Sequence, residues 1–140
     1  MQTAEAAVPA APSKALNIGL WAAQVLLLSF LFGGWMKAAT PVDQLAAQAA
    51  WMADIPEALL RFIGVMEIFG ALGVMLPALA RIKPWLTPVA ATGLATVMVL
   101  AAAFHIARGE LTLVPPNVIL GGLAAFVAWG RFGKAPIPPR

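Results

Sequence analysis

Four long apolar runs, separated by short segments that hold most of the charged residues, make up most of the chain. They cover residues 15–36, 58–77, 85–107 and 116–130. None of them alternates apolar and polar positions in the way of a half-buried strand. A helix crosses the hydrocarbon core of a bilayer with about 20 apolar residues, a length that the first three runs reach and the fourth falls short of. The pattern predicts four membrane-spanning helices.

The segment between the first two runs has a different pattern. In residues 40–57 apolar side chains recur at helical spacing between polar ones. Thr40 at a cap position, followed by Pro41 and then Asp43, is typical of a helix start. The segment therefore predicts a short amphipathic helix that lies on the membrane surface. Asp54 is expected to begin the second span.

The fold class predicted from these patterns is all-α: an integral membrane four-helix bundle with a short amphipathic surface helix between spans one and two. Residues 1–12, rich in alanine and proline, are predicted to be a disordered tail. Residues 13–132 form the predicted four-span transmembrane domain. Residues 133–140 are a Pro-rich tail, whose prolines stop the last helix.

The composition agrees with a membrane protein. Of the 140 residues, 61% are hydrophobic and 11% are charged, whereas soluble domains carry about 25% charged residues. So short a chain cannot bury this much apolar surface in its own core, because small proteins keep a large surface for their volume. The lipid bilayer is the expected partner of the excess.

The absence of cysteine and the scatter of the basic residues exclude several functions. The chain has no cysteine, so disulfides, thiol redox chemistry, thiolate zinc sites and iron–sulfur clusters are excluded. Its formal net charge is +3, but the nine lysines and arginines are spread singly along the chain. Without a basic patch, no nucleic acid is expected as a partner.

The distribution of basic residues predicts the orientation in the membrane. One set of helix ends carries six of them: Lys14, Arg81, Lys83, Arg131, Lys134 and Arg140. The other set carries Lys37, Arg61 and Arg108. Because basic residues accumulate on the cytoplasmic side, both termini are predicted to lie in the cytoplasm. The protein is expected to be a multi-pass protein of the cell (cytoplasmic) membrane.

The most unexpected residue is Glu67, in the middle of the second run. If that span starts near Ala58, a rise of about 1.5 Å per residue places Glu67 about 14 Å deep, close to the midplane. An ionisable residue at that depth marks a functional site by default. Two interpretations stay open: a protonated carboxyl that only holds helices together, or a group that meets a ligand, a proton or a partner.

Four other polar residues are predicted in the same outer half of the bundle: Lys37, Arg61, His105 and Asn117. Lys37 and Arg61 suit an anionic or quinone oxygen, or anchor to lipid phosphates, and Arg61 also suits Glu57 at the i,i+4 spacing. Asn117 serves a ligand or caps span four. The inner half is expected to hold Gln24 and little else.

His105 is the only histidine. It suits a proton donor, a hydrogen bond to a ligand or one axial ligand of a haem. The other interpretation is a histidine that is hydrogen-bonded near a helix end. A single histidine without cysteine does not build a closed metal site, so no metal is predicted.

Sequence motifs within these runs resemble a known family. "LLLSFLFGGWMK", "RFIGVMEIFGALGVMLP", "LTPVAATGLATVMVLAAAFHIARGE" and "PNVILGGLAAFVAWGR" follow the order and spacing of the DoxX-like family across residues 16–132. The elements R-x-I-G-x-x-E-x-x-G-A-x-G and F-H-x-x-R-G-E carry most of this resemblance.

The resemblance implies a small four-helix membrane protein of the bacterial cytoplasmic membrane. The family takes its name from a subunit of a thiosulfate:quinone oxidoreductase, which implies a link to the quinone pool. Carried over residue by residue, its pattern points to Lys37, Arg61, Glu67, His105 and Asn117. Glu67 and His105 are the candidates for catalysis, and the other three are the candidates for ligand binding.

Three hypotheses about function follow. In the first, the protein binds a lipophilic quinone-type molecule as a redox-linked subunit, and a partner oxidoreductase subunit supplies the electrons. In the second, it is a small acid–base enzyme, an isomerase or hydrolase of a lipophilic substrate, with Glu67 as acid or base. In the third, it is a membrane scaffold or assembly protein without catalysis. Small-residue faces also permit a homo-oligomer. Apart from quinone or haem, no cofactor is predicted.

Overall fold

The structure of the protein is a computed structural model that describes residue 8 and residues 10–140. These residues form helices and no strand. The α-helices are α1 (Lys14–Leu27), α2 (Ser29–Ala39), α3 (Val42–Gln48), α4 (Glu57–Ala80), α5 (Leu86–Ala107) and α6 (Val114–Trp129). Shorter 3-10 turns cover Ala50–Asp54 and Leu111–Leu113, and a π-helical turn covers Gly130–Lys134.

Four helical segments are long and apolar enough to cross a membrane. They are Lys14–Ala39, Glu57–Ala80, Leu86–Ala107 and Leu111–Lys134. The predicted all-α membrane bundle is confirmed, and α3 with the 3-10 turn after it forms the short helical element between spans one and two. The predicted tail 1–12 lies mostly outside the described residues, so its disorder stays a prediction.

Successive spans run in opposite directions, because each connection joins two neighbouring spans at the same end of the bundle. We call the end that carries the connections 40–56 and 108–113 the long-loop end. The end that carries Lys14, the connection 81–85 and the C-terminal segment is the terminal end. In the first span, α2 packs on α4 and α1 packs on α6, while α5 packs on both α4 and α6. The four spans therefore close into a ring.

The first span changes its neighbour because its helix is interrupted at Leu28. The Leu28 N–H donates to the Val25 carbonyl at 3.1 Å, and the Leu31 N–H donates to the Leu28 carbonyl at 2.9 Å. These i→i+3 bonds tighten one turn between α1 and α2. The half of the span at the long-loop end thus reaches α4, where the candidate site lies.

Small and medium side chains fill the centre of the bundle. Ala23, Ala71, Ala91, Leu94 and Ala124 are buried in the main apolar cluster. Large apolar side chains instead cover the outside: Phe32, Phe62, Phe69, Val99 and Ile119 are all more than half exposed. Contiguous exposed apolar surface of this kind suits a lipid environment.

Several predicted boundaries were wrong. The second span continues beyond Pro77 to Ala80, because a proline in the last turns removes only one helix hydrogen bond. The fourth span is longer than the run that predicted it, since the turns Leu111–Leu113 and Gly130–Lys134 extend it at both ends. Thr40 does not cap α3, whose N-cap is Pro41.

The predicted start of the second span at Asp54 was also wrong. Pro56 is the N-cap of α4, which begins at Glu57. Asp54 ends the preceding 3-10 turn, and its carboxylate binds Arg108. At the other end of the chain, Ser13 caps α1 as predicted, because its hydroxyl accepts from the Leu16 N–H at 3.1 Å.

Candidate functional site

An ion pair between spans one and two forms the centre of the candidate site. Lys37 Nζ lies 2.8 Å from Glu67 Oε2. The Glu67 side chain is 3% exposed and that of Lys37 is 17% exposed. Glu67 is the eleventh residue of α4, about 15 Å along its axis from Glu57. The structure therefore places a pair of opposite charges deep in the membrane-spanning part.

Glycines bring the two helices close together beside this pair. Ideal Cβ atoms built on Gly34 and on Gly64 would each lie 2.6 Å from the other residue's carbonyl oxygen. No alanine fits at that distance, so the backbones of α2 and α4 touch here because both residues lack a side chain. Gly33 leaves the space beside the pair, since its Cβ would lie 3.7 Å from Lys37 Nζ and 3.8 Å from Glu67 Oε2.

The direction of the Lys37 side chain follows from its position in the helix. Side chains of an α-helix lean toward its N-terminus. Lys37 is close to the C-terminal end of α2, so this lean points it back into the membrane and away from the interface. Its ammonium reaches the Gly33 carbonyl, one turn earlier, at 3.5 Å. The prediction that Lys37 only anchors to phosphates does not describe this geometry.

Arg61 lies next to the pair without joining it. Its Nη1 donates to the carbonyls of Lys37, at 2.8 Å, and Thr40, which are free at the C-terminal end of α2. Its Nη2 binds the Glu57 carboxylate at 3.1 Å, as the i,i+4 spacing predicts. Arg61 thus holds the end of α2 against α4 and fixes the backbone that carries Lys37.

His105 belongs to a second network at the long-loop end. Its Nδ1 lies 2.8 Å from Glu110 Oε2. Because an ionised carboxylate only accepts, Nδ1 is the donor and carries the proton. Arg108 binds the other oxygen of Glu110 at 2.9 Å and Asp54 at 2.6 Å. The network joins the end of α5 to the 3-10 turn of the first connection.

Gly109 makes this network possible. Its φ is +72°, a conformation that glycine adopts without strain. The Glu110 N–H donates to the His105 carbonyl at 2.9 Å, and the Gly109 N–H donates to the Ile106 carbonyl at 3.0 Å. This pair of bonds is a Schellman motif. It turns the chain back, so that the Glu110 carboxylate reaches the imidazole five residues earlier.

The network shifts the ionisation of its members. The hydrogen bond from His105, together with that from Arg108, holds the pKa of the Glu110 carboxyl below its usual value. The hydrogen bonds to Glu110 and Asp54 raise the pKa of Arg108. Both residues therefore stay charged at neutral pH, and they fix the tautomer and position of the imidazole.

Two aromatic rings pack against the His105 imidazole. The residue is 5% exposed. The ring centroids of Trp51 and Phe104 lie 5.1 and 5.3 Å from that of the imidazole, both edge to face. The imidazole is thus enclosed by aromatic rings and Glu110, and haem ligation by His105 stays a prediction.

The structure thus divides the predicted cluster. Lys37, Glu67 and Arg61 come together between α2 and α4. His105 lies in the other network, and no hydrogen bond or ion pair joins the two groups within the described part of the chain. Asn117 lies inside α6, and its Nδ2 donates to the Leu113 carbonyl at 3.1 Å. The N-cap of α6 is Leu113, which makes no side-chain cap bond. The capping interpretation of Asn117 was therefore wrong, because a capping side chain accepts from backbone N–H groups.

Sequence reasoning missed the partners of His105. Arg108 was counted only as a charge at a helix end, Asp54 as the start of the second span, and Glu110 only as part of a family motif. The F-H-x-x-R-G-E element contained the signal, because a glycine just before the acid predicts a chain reversal that returns the acid to the helix. Asp54 carried no comparable signal.

The terminal end also differs from expectation, since its interior holds more than Gln24. Arg131 is 4% exposed. Its Nε donates to Gln24 Oε1 at 2.9 Å, and its Nη1 donates to Asn17 Oδ1 at 2.8 Å. The π-helical turn Gly130–Lys134 directs this side chain inward. The i, i+4, i+7 spacing of Asn17, Trp21 and Gln24 was the signal that could have revealed a polar face.

The fold and the site define the class of the protein: a multi-pass, all-α membrane protein with an ion pair between its helices. A comparison with models of protein families matches residues 21–127 to the DoxX-like family. The match covers more than half of the chain, and the protein belongs to the DoxX-like family. The resemblance found in the motifs is confirmed. Comparisons with curated proteins and with solved structures found no match.

Proposed function

We propose that the protein binds a lipophilic, quinone-type molecule beside the Lys37–Glu67 pair and serves as a redox-linked membrane subunit. The observation that carries the proposal is the state of the Lys37 ammonium. It is held by a buried carboxylate but is 17% exposed. Of its three N–H groups, two have acceptors among the described residues, Glu67 and Gly33. One donor is left for a ligand.

The pair suits the carbonyl oxygen of a quinone. The spare N–H of Lys37 donates to that oxygen, and the ammonium stabilises the negative charge that gathers there when the ring accepts electrons. Glu67 keeps the ammonium in place and forms part of a proton path into the site. When bound, the quinone supplies the two-electron redox chemistry, and a partner subunit supplies the electrons.

The placement within the membrane supports the same proposal. A buried ion pair is weak support for stability, because the loss of water around both charges offsets their attraction. Ionisable groups at membrane depth are rare and mark ligand or proton pathways. Gly33 adds no side chain beside the two charges, which leaves room there for a ligand atom.

A titration with a short-chain quinone in nanodiscs tests the proposal. Binding is followed by quenching of tryptophan fluorescence, since Trp35 lies on the same helix as Lys37. The double variant Lys37→Met, Glu67→Leu removes the pair without leaving a lone charge. We expect its affinity to fall by about tenfold or more, the loss of one charge-assisted hydrogen bond. Asp43→Asn, an exposed carboxyl on α3, is the matched control and keeps the affinity. Equal affinity in all three proteins contradicts the proposal.

A scaffold function is the second candidate, because two of the contacts tie α2 to α4. They are the Lys37–Glu67 pair and the bonds of Arg61 to the end of α2. On this hypothesis the double variant keeps every cellular function of the protein, provided that it folds. The acid–base enzyme has less support, because its two candidate catalytic residues, Glu67 and His105, lie in different hydrogen-bond networks among the described residues.

We also propose the orientation that the basic residues predict, with both termini in the cytoplasm of a cell whose cytoplasmic membrane holds the protein. The terminal end carries six basic side chains, and the long-loop end carries three. In this orientation the Lys37–Glu67 pair lies in the half of the bundle that faces away from the cytoplasm.

A further inference from the structure

The terminal end holds a buried positive charge without an acidic partner among the residues that the structure describes. The Arg131 guanidinium has three partners: the side-chain oxygens of Gln24 and Asn17 and the Ala135 carbonyl, at 2.9, 2.8 and 3.0 Å. All three are neutral. No Asp or Glu side chain lies at this end within the described residues. Buried charges are normally paired with an opposite charge.

The same guanidinium has an unused donor. Its Nη2 is buried and has no hydrogen-bond acceptor among the described residues. An unsatisfied buried N–H group is costly, more so on a charged side chain. An oxyanion suits both the charge and the unused donor of this guanidinium.

A pocket beside Arg131 provides the place. Arg131, Arg81, Asn17 and Trp21 line it together with the C-terminal segment 135–138. Hydrogen bonds hold that segment against the end of α4, because Arg81 Nε donates to the Pro138 carbonyl at 2.9 Å. Two arginine side chains thus line one pocket, and arginine is the side chain that most often recognises the oxygens of a phosphate group.

An apolar groove begins at the same tryptophan. It runs along the outer face of α1 and is lined by Ile18, Trp21, Ala22, Val25 and Leu26. The Trp21 ring lies 5.2 Å below the Arg131 guanidinium carbon and belongs to both pocket and groove. Basic pockets next to apolar helix faces are typical sites for lipid headgroups.

We infer that the terminal end binds one anionic phospholipid, with its phosphate at Arg131 and Arg81 and one acyl chain along the groove of α1. The negative headgroup neutralises the buried guanidinium, and the acyl chain fills the apolar face. This site is separate from the Lys37–Glu67 pair, so that its failure and the failure of the quinone site are independent.

Native mass spectrometry of the full chain, after exchange into defined lipid, tests the inference. Phosphatidylglycerol and phosphatidylcholine are offered in equal amounts, with inorganic phosphate in a separate arm. We expect one retained phosphatidylglycerol per chain, with little phosphatidylcholine and no binding of inorganic phosphate at millimolar concentration. Equal retention of both lipids overturns the inference. Binding of inorganic phosphate alone assigns the pocket to a free anion and overturns the lipid.

Variants locate the site. Arg131→Gln should reduce phosphatidylglycerol retention by about tenfold or more, the loss of one charge-assisted hydrogen bond. Lys134→Gln removes the same charge from an exposed residue of the same turn and should leave retention unchanged. Equal losses in both variants would show diffuse attraction and overturn the site.

A third variant covers the case in which Arg131→Gln fails to fold. Ala22→Trp fills the groove at an exposed position on α1, where a large side chain meets lipid and not the core. It should fold and lose bound phosphatidylglycerol. Full retention in this variant contradicts the proposed path of the acyl chain.

Discussion

Removing each partner of the Lys37–Glu67 pair should have unequal effects on stability. The substitution Lys37→Met leaves a lone carboxylate whose side chain is 3% exposed and lies about 15 Å from the start of α4. Glu67→Leu leaves a lone lysine that is 17% exposed and two residues from the end of α2. The lysine can swing its long side chain to the interface, whereas the shorter glutamate side chain cannot.

The magnitudes follow from this difference. Breaking a buried ion pair by removing one partner costs about 3–5 kcal/mol, and we expect Lys37→Met to lie in that range. Because Lys37 can turn toward the interface, Glu67→Leu should cost about 1–2 kcal/mol, close to the value of one hydrogen bond. The double variant, which replaces the pair by apolar side chains, should lie within about 1 kcal/mol of the wild type.

Unfolding by increasing SDS in a mild detergent measures the three free energies, and the double-mutant cycle gives the coupling. We expect the two single losses to sum to well above the loss in the double variant, since the residues are in contact. Additive losses would refute the pairing. Losses of about 0.6 kcal/mol in each single variant, the average for neutral interhelical hydrogen bonds in membranes, would refute the charged character of the contact.

Three further predictions test other parts of the structure. Gly34→Ala should lower the melting temperature and weaken the α2–α4 contact by about 2 kcal/mol or more, because its Cβ would lie 2.6 Å from a carbonyl oxygen of α4; an unchanged melting temperature contradicts the close approach. Since the pKa of Glu110 is lowered in the folded protein, its contribution to stability is present above its ordinary pKa, about 4.3, and is lost as the pH falls through the folded value. In Glu110→Gln this part of the fall in the free energy of unfolding at low pH should be absent. A variant whose free energy of unfolding falls with pH in parallel with that of the wild type refutes the contribution. The chain has no cysteine, so Ala53→Cys and Lys134→Cys report the orientation without background: an impermeant maleimide added to intact cells should label the first only, and the reverse pattern contradicts the proposed orientation.

The spans were predictable because the hydrocarbon core of the bilayer requires apolar side chains along the whole length of a run. An unbroken apolar stretch of sufficient length has no other stable environment, so the four runs gave the four spans. Their ends were less certain, since boundaries depend on local turns. Pro77 looked like an end from composition, but the helix around it is retained by packing, and Ala78 is buried beside it.

The candidate site was predictable as a set of residues but not as a set of pairs. Depth alone placed Lys37 and Glu67 in the same half of the bundle. It could not give the rotation of each helix about its axis, which decides that Glu67 faces Lys37 and that His105 faces Glu110. Arg131 was counted as a flanking charge because its position lies at a span end, yet the π-helical turn directs it into the bundle.

The most direct test of the account is the amount of quinone that co-purifies with the protein from its native membrane. Lipid extraction and mass spectrometry should find about one quinone per chain in the wild-type protein and in Asp43→Asn. The folded double variant Lys37→Met, Glu67→Leu should retain little quinone. Wild-type protein without quinone, or equal quinone in all three proteins, would contradict the proposal that the ion pair between α2 and α4 holds a lipophilic ligand.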